Sequence, residues 1–129
     1  HLCDVFNESK AVKRVIAANA KGGQRRMRPD GTDALAFTAG DNPTVIHIGA
    51  LAGSALTEHT PRLVQMYHDR LDSRVGIIAL GGIFNGTHAY ESIKRGAVGI
   101  ECTSAYFHFG EGIFNYIVEG LPEEYSLAA

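Results

Sequence analysis

Three stretches of this chain have residue types and spacing that could hold an anion. Gly81-Gly82-Ile83 follows an apolar run and precedes, by a few residues, a helical pattern opening at Thr87. Glycines let a backbone come close to an anion, and bare N–H groups beside a helix N-terminus supply partial positive charge. Thr103-Ser104 ends the next apolar run, where two hydroxyls can donate to the same group from the other side. Gly81 and Thr103 lie 22 positions apart, the length of one strand–helix unit, which predicts neighbouring strands. The third stretch, Gly49-Ala50-Leu51-Ala52-Gly53, could close over the anion. Each also has a plainer use: Gly-Gly as a tight turn, Thr-Ser as a helix cap, Gly49 and Gly53 as loop flexibility. Taken together and in this order they favour an anion site, and spacing leaves the anion's identity open.

The elements that would carry these loops follow from periodicity. Residues 74–80 are a short, mostly apolar run with apolar residues on both faces, the pattern of a buried parallel strand. Residues 87–95 read as a helix with Thr87 as N-cap, Lys94 and Arg95 near its C-terminal dipole, and Gly96 at the left-handed stop. Residues 98–103 are the next strand. Residues 111–119 form a last helix, with Ile113, Phe114, Ile117, Val118 and Leu121 on one stripe and Gly120 ending it. Thr60-Pro61 reads as an N-cap followed by proline at the first helical position, with Leu63, Val64, Tyr67 and Leu71 as the apolar face. Upstream, Val12, Val15, Ile16 and Ala20 mark an amphipathic helix over about 8–21, and residues 33–38 read as a strand. Residues 22–33 and 39–56 read as loops, apart from an apolar piece at 45–48. Tyr106-Phe107-His108-Phe109 is expected to be a helix-docking surface rather than a base-stacking platform, and Arg25-Arg26 a solvated pair.

Strands alternating with helices predict an α/β fold with parallel pairing and right-handed crossovers. An open doubly wound sheet and a closed (β/α)₈ barrel share that grammar. A complete barrel takes about 250 residues, so 129 residues make a single partial domain, about half of a barrel if barrel it is. The chain lacks a starting Met, a hint that it begins partway through a longer protein.

Composition narrows the partners. Hydrophobic residues are 45% and charged residues 20%, a globular balance. A net charge of −2 makes nucleic acid and anionic membrane poor partners. No apolar run reaches the ~18 residues of a membrane span, and no secretory leader is visible, so a reduced cytoplasmic setting is expected. Cys3 and Cys102 have no metal or disulfide spacing, and the six histidines are scattered, so no metal site is expected.

With these residues in view, the chain resembles a known family. Gly49-Ala-Leu-Ala-Gly53, then Gly81-Gly-Ile followed by a helix ending in Gly96-Ala97, then Thr103-Ser104-Ala105 and Gly110, are similar to the C-terminal half of dihydroorotate dehydrogenase. The same region of the flavin domain of dihydropyrimidine dehydrogenase is also similar. The resemblance implies an FMN-binding (β/α)₈ barrel that oxidises or reduces a ring carbon–carbon bond of a small-molecule pyrimidine. It carries the FMN-phosphate roles onto Gly81, Gly82, Ile83, Thr103 and Ser104, and in part onto Gly49 and Gly53. Ala50 replaces a usual Gly and Ala52 a usual Ser, so a backbone contact is kept there and a hydroxyl lost. Ala79 stands where Gly is common, which is expected to narrow the flavin slot.

The family's substrate-contacting Asn, at the end of an Asn-Thr strand, has two candidate registers here. One runs through 33–38 and ends in Phe37-Thr38; the other runs through 3–8 and uses Asn7. The family's flavin-contacting Lys and its Cys or Ser proton-transfer residue have no match, so no catalytic residue is assigned. The missing N-terminal part of the barrel is then a required partner, the chain alone is expected to be inactive, and a homodimer stays open. Two alternatives remain. One is another phosphate-binding barrel enzyme, such as a different FMN oxidoreductase or a sugar-phosphate isomerase. The other is a degenerate, non-catalytic half barrel.

Overall fold

The structure, a computed structural model, describes residues 2–17, 20–24, 30 and 49–125. Among these residues five strands run in chain order: β1 Arg14–Ala17, β2 Lys21–Gln24, β3 Gly49–Leu51, β4 Gly76–Leu80 and β5 Ala97–Glu101. Five helices accompany them: α1 Leu2–Glu8, α2 His59–His68, α3 Gly86–Ile93, α4 Ser104–Phe109 and α5 Gly112–Glu119. A parallel sheet of order β1-β4-β5 forms the centre, and β2 pairs with β3 in a separate antiparallel ladder. The expected adjacency of the two strands that lead into Gly81 and Thr103 is present as the β4–β5 pair.

Alternation along the strands decides where the core lies. Val15 and Ala17 stand opposite Ile77 and Ala79, and Ala97 and Ile100 stand opposite the same two residues on the other side. This row packs with Val64 of α2, Ala89 of α3 and Ile113 and Ile117 of α5 in one apolar cluster. Burying such side chains supplies the main drive to hold helices on the sheet. The opposite face is open: Ile16 is 54% exposed and Val98 67%. A sheet with helices on one face and bare aliphatics on the other is what part of a closed barrel presents, because its inward side chains meet only when the ring is complete.

Several expectations are corrected. Residues 8–21 are not one helix; they hold the end of α1 and then β1. The apolar spacing of Val12, Val15 and Ile16 fits a helix, but pairing with β4 fixes the segment as a strand, with Ile16 opposite Ile78. The stretch 39–56 is not all loop, since β3 and a 3₁₀ turn Gly53–Leu56 lie in it. The helix read from Thr60 begins at His59, with Glu58 at its N-cap and Pro61 at its third position. Proline is tolerated there because first-turn N–H groups have no helical acceptor anyway. Thr87 does not cap α3; Asn85 does, its side chain accepting from the His88 N–H at 2.9 Å. Gly96 does adopt the left-handed conformation, with φ 105°.

The stripe expected on α5 is only partly covered: Ile113 and Ile117 are buried, while Phe114 and Val118 are exposed. Tyr106-Phe107-His108-Phe109 forms most of α4; Tyr106 meets Phe114 of α5, ring centroids 5.9 Å apart, while Phe107 is 80% exposed. Residues 25–29 and 31–48, which include Arg25-Arg26 and the strand expected at 33–38, lie outside the described residues.

Candidate functional site

At the carboxyl ends of β4 and β5 the chain surrounds a cavity of about 110 Å³. Leu80, Gly81, Gly82, Ile83 and Phe84 line it from the β4 side, and Cys102, Thr103, Ser104 and Ala105 from the β5 side. Ala52 and Gly53 lie across it, and Ala20, three residues beyond β1, completes the wall. A buried water needs only ~10–15 Å³ by the same kind of measure, so a tetrahedral anion has room. Six of the seven residues singled out in the sequence, namely Gly53, Gly81, Gly82, Ile83, Thr103 and Ser104, are thus brought together. Gly49 opens β3, opposite Gln24. Ala79 is buried in the core and does not line this cavity.

The β4 turn is held in one conformation. Gly81 and Gly82 have φ of 109° and 71°, values that L side chains rarely adopt. A Cβ on Gly82 would overlap the Thr57 nitrogen and the Leu56 carbonyl carbon, so the 3₁₀ turn could not pack where it does. Two hydroxyls reach the turn's carbonyls: Thr60 Oγ1 donates to Gly81 O and Thr57 Oγ1 to Gly82 O, each at 2.8 Å.

The β5 side is built differently. Thr103 is the N-cap of α4 and makes no side-chain cap. The first N–H to reach back along the helix is that of Phe107, to Thr103 O at 3.1 Å. The N–H groups of Ser104, Ala105 and Tyr106 therefore have no acceptor within the helix. Gly53 stands close enough that a Cβ there would lie 3.6 Å from Ser104 Oγ, so the 52–53 segment closes the cavity against α4.

Among the described residues, the lining carries no carboxylate and no cationic side chain. Its titratable group is Cys102, and burial pushes that thiol's pKa up, so it stays neutral and does not repel an anion. Among the described residues no cluster of three or more His, Cys, Asp or Glu could hold a metal ion, and no helix is long and apolar enough to cross a membrane.

Of the two candidate registers for the substrate Asn, the one through residues 3–8 is not a strand. Asn7 lies in α1, where its Nδ2 donates to Arg70 O at 2.9 Å and its Oδ1 accepts from the Asp72 N–H at 2.8 Å. With Arg74 donating to Phe6 O and Asn7 O, it pins α1 to the loop before β4. Phe37-Thr38 lies outside the described residues. The strand that pairs with β4 is β1, and the Asn that follows it in sequence is Asn19, also outside them. Thr57 and Thr60 were likewise missed as parts of the site. Their acceptors lie 25 and 21 positions downstream, a relation that local sequence does not display.

Comparison with known proteins agrees with this geometry. A family model for dihydroorotate dehydrogenase matches residues 4–125. A dihydroorotate dehydrogenase (quinone) of Akkermansia muciniphila is 31% identical over 83 residues, 64% of this chain and 24% of that protein. Its counterpart in Trichodesmium erythraeum is 26% identical over 120 residues, 93% of this chain and 30% of that protein. The chain therefore spans about a quarter to a third of the relatives it matches. Among solved structures, that of a DHODH from Eimeria tenella in complex with ferulenol superposes with a TM-score of 0.68 at 21% identity, covering 92% of this chain and 28% of that one. The likeness establishes the fold as part of that α/β barrel, and the family match over nearly the whole chain establishes that it belongs to the dihydroorotate dehydrogenase family.

Proposed function

We propose that this chain is the FMN-phosphate-binding part of an oxidoreductase that oxidises the ring carbon–carbon bond of dihydroorotate, as one partial domain that acts with the remaining strands of its barrel. The observation that carries this is the cradle at the ends of β4 and β5. A turn held by glycine geometry and an uncapped helix N-terminus line one small cavity, to which no described residue brings a carboxylate.

The residues present fit a phosphate dianion. The N–H groups of Gly82 and Ile83, the hydroxyls of Thr103 and Ser104 and the first-turn N–H groups of α4 would hold it, and neutral donors bind such a group well where water is sparse. Bound FMN would supply the hydride-accepting chemistry, and these residues would hold and orient its phosphate end. No residue of the chain is given the proton-transfer step. That its relatives are quinone-type dihydroorotate dehydrogenases supports a quinone as electron acceptor.

The test is the full-length protein. It should purify with a flavin absorption spectrum, release FMN on denaturation, and be reduced by dihydroorotate and reoxidised by a quinone. A colourless protein that takes up no added FMN overturns the proposal. A flavoprotein that turns over dihydrouracil and leaves dihydroorotate untouched overturns the substrate.

A further inference from the structure

We propose that Thr57 and Thr60 are positioning residues that aim the Gly82 and Ile83 amides at the phosphate, and so set the preference for FMN over unphosphorylated riboflavin. The inference rests on the phosphate-site reading above and concerns how the site is kept in its binding state.

The case begins with the peptide plane. In a trans peptide the carbonyl and the following N–H point in opposite directions, and no described peptide bond here is cis. Thr60 Oγ1 holds the Gly81 carbonyl, so the N–H of Gly82, in the same plane, points away from α2. Thr57 Oγ1 holds the Gly82 carbonyl, so the N–H of Ile83 points away from the 3₁₀ turn. Gly82 and Ile83 both line the cavity.

A hold of this kind is needed because Gly-Gly has little preference of its own. Glycine populates both signs of φ, so the plane between Gly81 and Gly82 can rotate at low cost. A rotated plane would aim a carbonyl oxygen at the dianion and withdraw a donor, turning attraction into repulsion. The threonines oppose that rotation from outside the cavity, since neither is a lining residue. Thr60 is fully buried, so its hydroxyl finds its partner in the protein rather than in water. Accepting a hydrogen bond at each carbonyl also polarises the peptide and strengthens its N–H as a donor.

The test measures FMN and riboflavin dissociation constants by flavin fluorescence on the full-length apoprotein. It compares wild type with Thr57→Val, Thr60→Val, the double valine variant, and Thr57→Ser and Thr60→Ser. Valine keeps shape and removes the hydroxyl; serine keeps the hydroxyl. Wild type should prefer FMN. Each valine should weaken FMN binding about tenfold with riboflavin little changed, the scale of one charge-assisted donor, and each serine should restore the preference. A purely structural role would lower the melting temperature and weaken both flavins alike. Where Thr60→Val does not fold, the half-exposed Thr57→Val carries the test. A double valine variant that keeps the wild-type FMN-to-riboflavin ratio overturns this proposal alone. A wild type that holds both flavins equally overturns the phosphate site and this proposal with it.

Discussion

The two turns that flank the cavity are built in opposite ways. The turn after β4 is fixed from behind: its glycines have positive φ, its Gly82 admits no Cβ, and its carbonyls are tied by two hydroxyls. The turn after β5 is open in front: Thr103 caps nothing, and three first-turn amides of α4 have no helical acceptor. One wall has its internal hydrogen-bonding demands met, and the other keeps donors in reserve. Changes in the first should therefore disturb structure and binding together, while changes in the second should disturb binding alone.

The largest expected effect lies on the first wall. Gly82→Ala would combine left-handed strain with overlap against the 57 backbone, costing about 2–4 kcal/mol, and Gly82→Asp would add a carboxylate against the phosphate and abolish FMN retention. Urea unfolding and bound-flavin content of the full-length protein measure both. A Gly82→Ala protein of wild-type stability would break the distinction between the walls. The next effect lies on the second wall. Thr103→Ala and Ser104→Ala should each weaken FMN binding about tenfold while leaving unfolding free energy within about 0.5 kcal/mol. Loss of stability equal to the loss of affinity would show that these hydroxyls are structural after all.

A smaller effect separates the β4 turn from the helix it feeds. Asn85 caps α3 by accepting from the His88 N–H. Asn85→Ala should cost about 1 kcal/mol, the usual worth of an N-cap, as read by the unfolding midpoint. Retained FMN preference in that variant would locate the binding conformation in the Thr57 and Thr60 bonds rather than in the helix start.

The two strands that lead into the walls were the most legible parts in sequence. β4, β5, the Gly96 stop and the adjacency of Gly81 and Thr103 follow from apolar runs punctuated by glycine, because such runs have few other ways to be buried. β1 was hidden because four residues give only two inward positions, Val15 and Ala17, too few to outweigh the helical spacing of Val12, Val15 and Ile16. Its identity as a strand comes from β4, more than 60 residues away in sequence. α4 was hidden because six residues show less than two turns of pattern and its aromatics are largely exposed. The cavity could be read from loop glycines and hydroxyls, but its support could not. The bonds of Thr57 and Thr60 join residues that only the tertiary fold brings together.

The smallest expected effect concerns pH, and it sharpens the comparison at the seam between turn and helix. The Phe84 N–H, at the edge of the cavity, donates to His88 Nδ1 at 3.3 Å, so His88 must be neutral at that nitrogen to accept. Partial burial also lowers the His88 pKa below its ordinary 6.5. As pH falls through 6.5 the unfolded chain takes up the proton first, so stability is full above that value and is lost as pH falls toward the lower folded pKa. Protonation would also convert an acceptor facing the Phe84 N–H into a second donor, loosening the end of the β4 turn. His88→Asn places an amide oxygen near the Nδ1 position without a proton to gain. The unfolding midpoint of the wild type should drop between pH 7 and pH 5 relative to that variant, by less than the Asn85 cap is worth. Parallel profiles for the two proteins would mean that the seam bears no load and that the β4 turn is held from the threonine side alone.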